Sequence, residues 1–210
     1  LKKLYIVRHG ETKWNIEGRT QGLQDSALTE KGLRQAELLA NRLKTEEIDI
    51  IFSSSLDRAK TTAGIIADYL HIPCHYKEEL KELGFGKWEG LTLDEIKEHY
   101  PKELNDWHYN PHLCKIPEGE DILLVQKRMI QLFNELQHRP EENVLLVSHG
   151  AVIKLFLLAF LEMPLNHYYR ITQTNCAINI IEFKNKGPVL TKYNDTSYME
   201  ILLEGELYDE

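Results

Sequence analysis

Cysteine is scarce in this sequence, with Cys74, Cys114 and Cys176 the three such residues among 210. An odd number at wide spacing excludes a disulfide framework and points to a reducing compartment, the cytoplasm. Long hydrophobic runs are also missing. The most apolar stretch, Ala151 to Met163, is broken by Lys154 and Glu162 and falls short of the roughly 20 residues that cross a bilayer. The opening LKKLYIVRHG carries only a short apolar run before its arginine, less than a secretory leader needs. Basic charge is in deficit, 25 Lys+Arg against 33 Asp+Glu for a net −8, which argues against a nucleic-acid partner. That balance also weighs against an anionic substrate, unless positive charge is gathered locally. No repeat, low-complexity tract or Pro/Gly/Ser-rich linker divides the chain, so residues 1–210 are read as one domain.

Short apolar runs are what the chain does have. Leu4–Val7, Ile48–Phe52 and Val144–Val147 are rich in β-branched residues, the pattern of strands buried on both faces of a parallel sheet. Helical periodicities lie between them. Leu33, Ala36, Leu39, Ala40 and Leu43 follow Thr29 as N-cap, and Ala59, Ala63, Ile66, Ala67 and Leu70 follow Asp57 in the same way. Ile122, Val125, Met129, Leu132, Phe133 and Leu136 form a third stripe, read as core, that stops before Pro140. Thr92 and Glu95 have the spacing of a capping box, which predicts a short helix up to Tyr100. Residues 101–119, aromatic and proline-punctuated, read as a loop, and 91–119 as a lid-like insertion. A helix from Ala151 and late strands at 177–183 and 189–193 complete a three-layer α/β/α fold with a mainly parallel central sheet. The tail 199–210 holds five acids and no base.

In open α/β sheets, ligands gather at the carboxyl ends of strands. The first strand runs into Arg8-His9-Gly10-Glu11-Thr12, the second into Ser53-Ser54-Ser55-Leu56-Asp57-Arg58, and the strand at 144–147 into Ser148-His149-Gly150. Taken singly, a His-Gly at a strand end is turn chemistry, and an arginine near a helix start pairs with a neighbouring acid. Two His-Gly turns and an arginine at three strand ends instead suggest one crevice, but spacing alone leaves both readings open.

The segment Arg8-His9-Gly10-Glu11-Thr12-Lys13-Trp14-Asn15 resembles the signature of the histidine phosphatase superfamily, in its phosphoglycerate-mutase-like branch. The resemblance continues through Gln21-Gly22, 25–29, 53–59, 82–90 and 117–120 to Ser148-His149-Gly150, covering most of residues 3–183. Ala27, where that family commonly has proline, is a departure confined to a turn. The resemblance implies a metal-independent phosphoryl transfer without a cofactor. His9 is then the nucleophile that becomes a phosphohistidine, and Glu82 the proton donor, ahead of Glu11. Arg8, Arg58 and, if protonated, His149 neutralise the phosphate, with Gly10, Asn15, Gln21, Gly22 and Gly150 completing the cradle. The chemistry fits these residue types: a phosphomonoester carries about two negative charges, and arginine offers a planar fork of donors.

Within that family, a mutase must hold a phosphoglycerate carboxylate and exclude water. Here residues 91–118 supply Lys97, Lys102 and Lys115 as firm cations, with no arginine pair, and Gln21-Gly22 replaces the Gly-Trp turn of glycolytic mutases. A phosphatase of small phosphorylated metabolites is the expectation, resembling the broad-specificity and ribazole-phosphate types, with cofactor-dependent mutase as the alternative. A non-catalytic phosphoryl-binding module is a second alternative, weakened by the presence of His9, His149 and Glu82. The oligomeric state is left open. His71, Cys74 and His75 lie close together but lack a second cluster of metal ligands. Trp107, His108, Tyr109 and His112 either line a substrate pocket or anchor the insertion. Since five of the acids lie in the tail, the remainder of the chain is only mildly acidic, and a local positive focus is compatible with it.

Overall fold

A computed structural model describes residues 1–199; apart from Met199, the acidic tail lies outside the described residues. The chain runs β1 (Lys3–Arg8), α1 (Lys13–Ile16), α2 (Glu30–Leu43), β2 (Ile50–Ser53), α3 (Asp57–Leu70) and β3 (Cys74–Tyr76). It continues with α4 (Leu93–His99), α5 (Pro101–Tyr109), α6 (Ile122–Leu136), β4 (Asn143–Ser148), α7 (Gly150–Phe160), β5 (Ile178–Lys184) and β6 (Gly187–Asp195). The strands form one sheet in the order β3-β2-β4-β1-β5-β6. Neighbours from β3 to β1 pair in parallel, and β5 runs antiparallel to both β1 and β6.

Period-two alternation sorts the strand side chains onto two faces. Leu4, Ile6, Val144 and Leu146 pack with α6 and α7, whereas Tyr5, Val7, Leu145 and Val147 pack with α2 and α3. The central strands are apolar on both faces because each face is covered, which is why they read as continuous runs. The three-layer architecture is as expected. Among the described residues no helix is long and apolar enough to cross a membrane.

Three local features differ from the sequence reading. Helix α3 is capped by Leu56 rather than Asp57, and no side chain of its own closes it. A carboxylate from another loop does so: Asp25 accepts from the N–H groups of Asp57 at 2.9 Å and Arg58 at 3.4 Å. The stretch after Pro101 is a helix rather than a loop, because proline fits the first helical position. Its Leu104 and Trp107, three residues apart, are buried together in the core. The Cys74–Tyr76 segment is a short edge strand, and His71 is the left-handed cap that ends α3. Among the described residues no group of three His, Cys, Asp or Glu side chains is arranged to hold a metal.

Candidate active site

Parallel pairing brings the ends of β1, β2 and β4 to one edge. Arg8 lies opposite Ser148, and Ser53 opposite Val147. The chain then leaves each strand anchored to its neighbour: His9 N–H donates to the Ser148 carbonyl, and Ser54 N–H to the Val147 carbonyl, both at 3.0 Å. The two histidine rings therefore meet, with centroids 5.2 Å apart, and both residues are almost fully buried.

His9 Nδ1 is 2.7 Å from the Gly10 carbonyl. A carbonyl only accepts, so Nδ1 carries the proton of the neutral ring and Nε2 keeps its lone pair. Burial is the largest influence on this imidazole, followed by the charges of Arg8 and Arg58; together they hold its pKa well below the ordinary value. A neutral, oriented imidazole is what a nitrogen nucleophile needs.

Burial, then Arg58 and other neighbouring groups, push the His149 pKa well below the usual range as well, which disfavours a third cation in the unliganded site. Its Nε2 lies 2.8 Å from Ser54 Oγ, and its Nδ1 has no hydrogen-bond partner among the described residues. With the Ser54 hydroxyl donating to Nε2, the ring proton sits on Nδ1 and is still a donor.

The arginines are fixed from behind. Arg8 donates from Nη1 to the Gln173 carbonyl at 2.7 Å. Arg58 donates to the Gly22 and Gln24 carbonyls and to Asp25, each at 2.7 Å. Nε of both is buried without a hydrogen-bond partner among the described residues. Asp25 therefore both starts α3 and orients Arg58, a role that its place in a distant loop hides from sequence inspection.

Glu82 sits at the start of α7, where its carboxylate accepts from Ala151 N–H at 3.3 Å and Val152 N–H at 3.2 Å. Helix starts favour negative charge. Its own loop is tied down on two sides. Ser148 Oγ donates to the Leu80 carbonyl at 2.8 Å. Arg128 reaches the carbonyls of Glu79, Lys81 and Glu82 at 2.6, 2.7 and 3.2 Å.

A cavity of about 310 Å³ opens over these groups. Arg8, His9, Asn15, Gln21, Gly22, Arg58 and Glu82 all line it. Gly10, His149 and Gly150 lie behind that lining. Gly10 donates its N–H to Thr62, and a side chain there would strike the Gly32 carbonyl, so close backbone packing accounts for this glycine. Gly150 lets α7 begin against the Arg8 guanidinium. Gly22 has φ +57°, and a Cβ there would collide with the Glu89 carboxylate. Glu11 instead accepts from the Thr29 hydroxyl at 2.9 Å and does not line the cavity.

Residues outside the sequence-based set complete the wall. Trp107 and His108 do line it, whereas Tyr109 and His112 do not. Phe85, Trp88, Lys154, Tyr168 and Tyr169 also face the cavity. For Lys154 a signal was present, since a lone charge in an otherwise apolar helix that begins at the site needs a reason.

A neutral, buried imidazole among arginine donors at the strand ends of a doubly covered sheet is an arrangement suited to an α/β enzyme that handles phosphoryl groups. The chain belongs to the histidine phosphatase superfamily (branch 1), whose family model matches residues 4–196, and it is a phosphatase of that superfamily. It is 32% identical to phosphoserine phosphatase 1 of Hydrogenobacter thermophilus over 209 residues, 99% of this chain and 97% of that protein. It is 33% identical to a probable phosphoglycerate mutase GpmB of Yersinia pestis, over 98% of each chain. Among solved structures, Bacillus stearothermophilus YhfR superposes with a TM-score of 0.88 at 37% identity, over 95% of this chain and 100% of that one.

Proposed function

We propose that the chain hydrolyses small phosphomonoesters without a metal, through a phosphohistidine on His9 and with Glu82 moving the proton. The observation that carries this reading is a set of buried donors without partners among the described residues, beside the neutral His9 ring: Arg8 Nε, Arg58 Nε and His149 Nδ1. Buried donors are rarely left unpaired, so such a set is suited to an anion. Arg8, Arg58 and Asn15 then meet the phosphate oxygens from the cavity lining, with His149 Nδ1 as a further donor behind them. His9 Nε2 attacks phosphorus in line, the bond to the leaving oxygen breaks, and that oxygen takes the Glu82 proton. In the second half, the Glu82 carboxylate takes a proton from water, hydroxide attacks phosphorus, and the bond to His9 breaks. Transfer of this kind depends on positioning and electrostatic stabilisation, which the braced arginines supply.

The likeness to a probable phosphoglycerate mutase keeps that alternative in view. None of Lys97, Lys102 and Lys115 lines the cavity, so the insertion itself brings no lysine to the site, where a mutase is expected to place extra basic residues. Hydrolysis of an aryl phosphate in excess chelator, parent against His9→Ala, tests the reading. We expect metal-independent turnover in the parent and a loss of about 10³-fold or more in the variant. Full activity in the variant overturns the nucleophile, and a divalent-metal requirement overturns the route. Interconversion of phosphoglycerates faster than hydrolysis, after priming with bisphosphoglycerate, makes the chain a mutase.

A further inference from the structure

Lys154 lines the cavity but has no task in the hydrolysis described above. It projects from α7, beyond the helix start that holds Glu82, and is half-buried. Its ammonium lies 3.6 Å from the Tyr168 ring centroid and 5.0 Å from that of Tyr169. Among the described residues it forms no ion pair. A half-buried ammonium without a counter-ion is costly, and ring faces repay part of that cost. The charge is nonetheless retained in a cavity whose lining includes much apolar surface, from Phe85, Trp88, Leu93, Ile96, Leu104 and Trp107. Arg19, the other cation in that lining besides Arg8 and Arg58, is already paired with Glu17 and Glu95. Lys154 packs against Tyr168 and Tyr169, near enough to Arg8 and Glu82 to feel their charges.

We propose that Lys154, clamped by Tyr168 and Tyr169, is a carboxylate-binding subsite, and that the preferred substrates are small phosphomonoesters whose leaving group carries a carboxylate. This rests on the phosphatase reading and names the substrate class for it. An ammonium over two ring faces has its remaining N–H donors free for an anion, and desolvation strengthens that contact. The subsite is also sensitive to pH. Burial, the largest influence, brings the Lys154 pKa down to about 8, opposed by the negative charge of Glu82 and assisted by Arg8. The titratable and charged groups facing it are Glu82 from the loop after β3, Arg8 from β1, His108 from α5, and Tyr168 and Tyr169. Both tyrosines are held neutral by burial, so the change in charge between neutral and mildly alkaline pH falls on the lysine.

The test compares 3-phosphoglycerate with glycerol 3-phosphate, a pair that differs in carboxylate against hydroxymethyl. Phosphate release is measured for the parent, Lys154→Met and Lys154→Arg. We expect the parent to favour the carboxylated ester in kcat/KM. Lys154→Met should cut that preference by about tenfold or more, chiefly through KM, and Lys154→Arg should restore it. In the parent the preference should decline between pH 7 and 9; in Lys154→Arg it should hold, since arginine keeps its charge. An unchanged preference in Lys154→Met, or an equal loss for both esters, overturns the subsite. Calorimetric binding of the same pair to His9→Ala, with and without Lys154→Met, reads the subsite without turnover. A binding preference that depends on Lys154, in a protein that releases no phosphate from any ester, supports the subsite and sinks the phosphatase reading instead.

Discussion

On the floor of the cavity, Arg8, His9 and Arg58 are each held by directed hydrogen bonds to other elements. On the wall, Trp107 is held by ring packing, 5.6 Å from Phe85, 6.2 Å from Trp88 and 5.2 Å from Tyr168 between centroids. The difference follows from what each surface must do. A phosphate is the same anion in every substrate, and its oxygens need donors placed to a few tenths of an ångström. A leaving group varies, and ring surfaces accept variation because dispersion contacts have broad minima. Substitutions on the floor should therefore affect all substrates alike, and substitutions on the wall should reorder them.

Arg58→Lys is the severest test on the floor after His9→Ala. Lysine cannot serve Gly22, Gln24 and Asp25 while still presenting a donor to phosphate. We expect kcat/KM to fall by about 10²–10³-fold, the scale for losing one preorganised donor, and by the same factor for aryl, carboxylated and uncarboxylated esters. A loss confined to one ester would move Arg58 from the phosphate to the leaving group.

The floor should also reveal itself in stability, with no substrate present. His9 and His149 have pKa values lowered in the fold, chiefly by burial. The unfolded chain takes up protons near pH 6.5 that the folded chain refuses, so their contribution is complete above that pH and is lost as pH falls below it. Each histidine then contributes a slope of up to about 1.4 kcal/mol per pH unit. Urea unfolding between pH 7 and 5 should show declining stability, and His9→Asn combined with His149→Asn should flatten it. An equal slope in the double variant would assign the acid sensitivity to other groups.

The same division explains what could be read without a structure. Arg8, His9, Arg58 and His149 stand at strand ends in the sequence, and the family resemblance singles them out together with Glu82; the fold brings all five to one edge of the sheet. Asp25 and Arg128 were not legible. One caps and orients across 33 positions, the other braces a loop 46 to 49 positions away, and no local pattern records such pairings. The low pKa of His149 is not legible either, because burial beside two guanidinium groups is a property of packing. Helix α5 was hidden by its composition, since the Leu104–Trp107 pair is too short a stripe to stand out among aromatics and polar residues. The edge strand at Cys74–Tyr76 is three residues long, below the length at which alternation is readable.

Trp107 and Tyr109 bring the comparison to its finest scale, because they are two positions apart on α5 and only the first reaches the cavity. Trp107 is buried, whereas Tyr109 is 71% exposed. Trp107→Leu keeps an apolar side chain on the wall but removes the ring that Tyr168 and Phe85 pack against. Apolar pocket contacts of this size discriminate by about 1–3 kcal/mol. We therefore expect the kcat/KM ratio of an aryl to an alkyl phosphate to shift by about tenfold, with the phosphate-dependent part of catalysis intact. Tyr109→Leu should move that ratio by less than about twofold, as befits a surface change worth no more than ~0.5 kcal/mol. Equal shifts in the two variants would mean that α5 acts through its stability as a whole. Equal losses on both esters in Trp107→Leu would mean that the wall holds the floor in place, and the division between the two surfaces would fail.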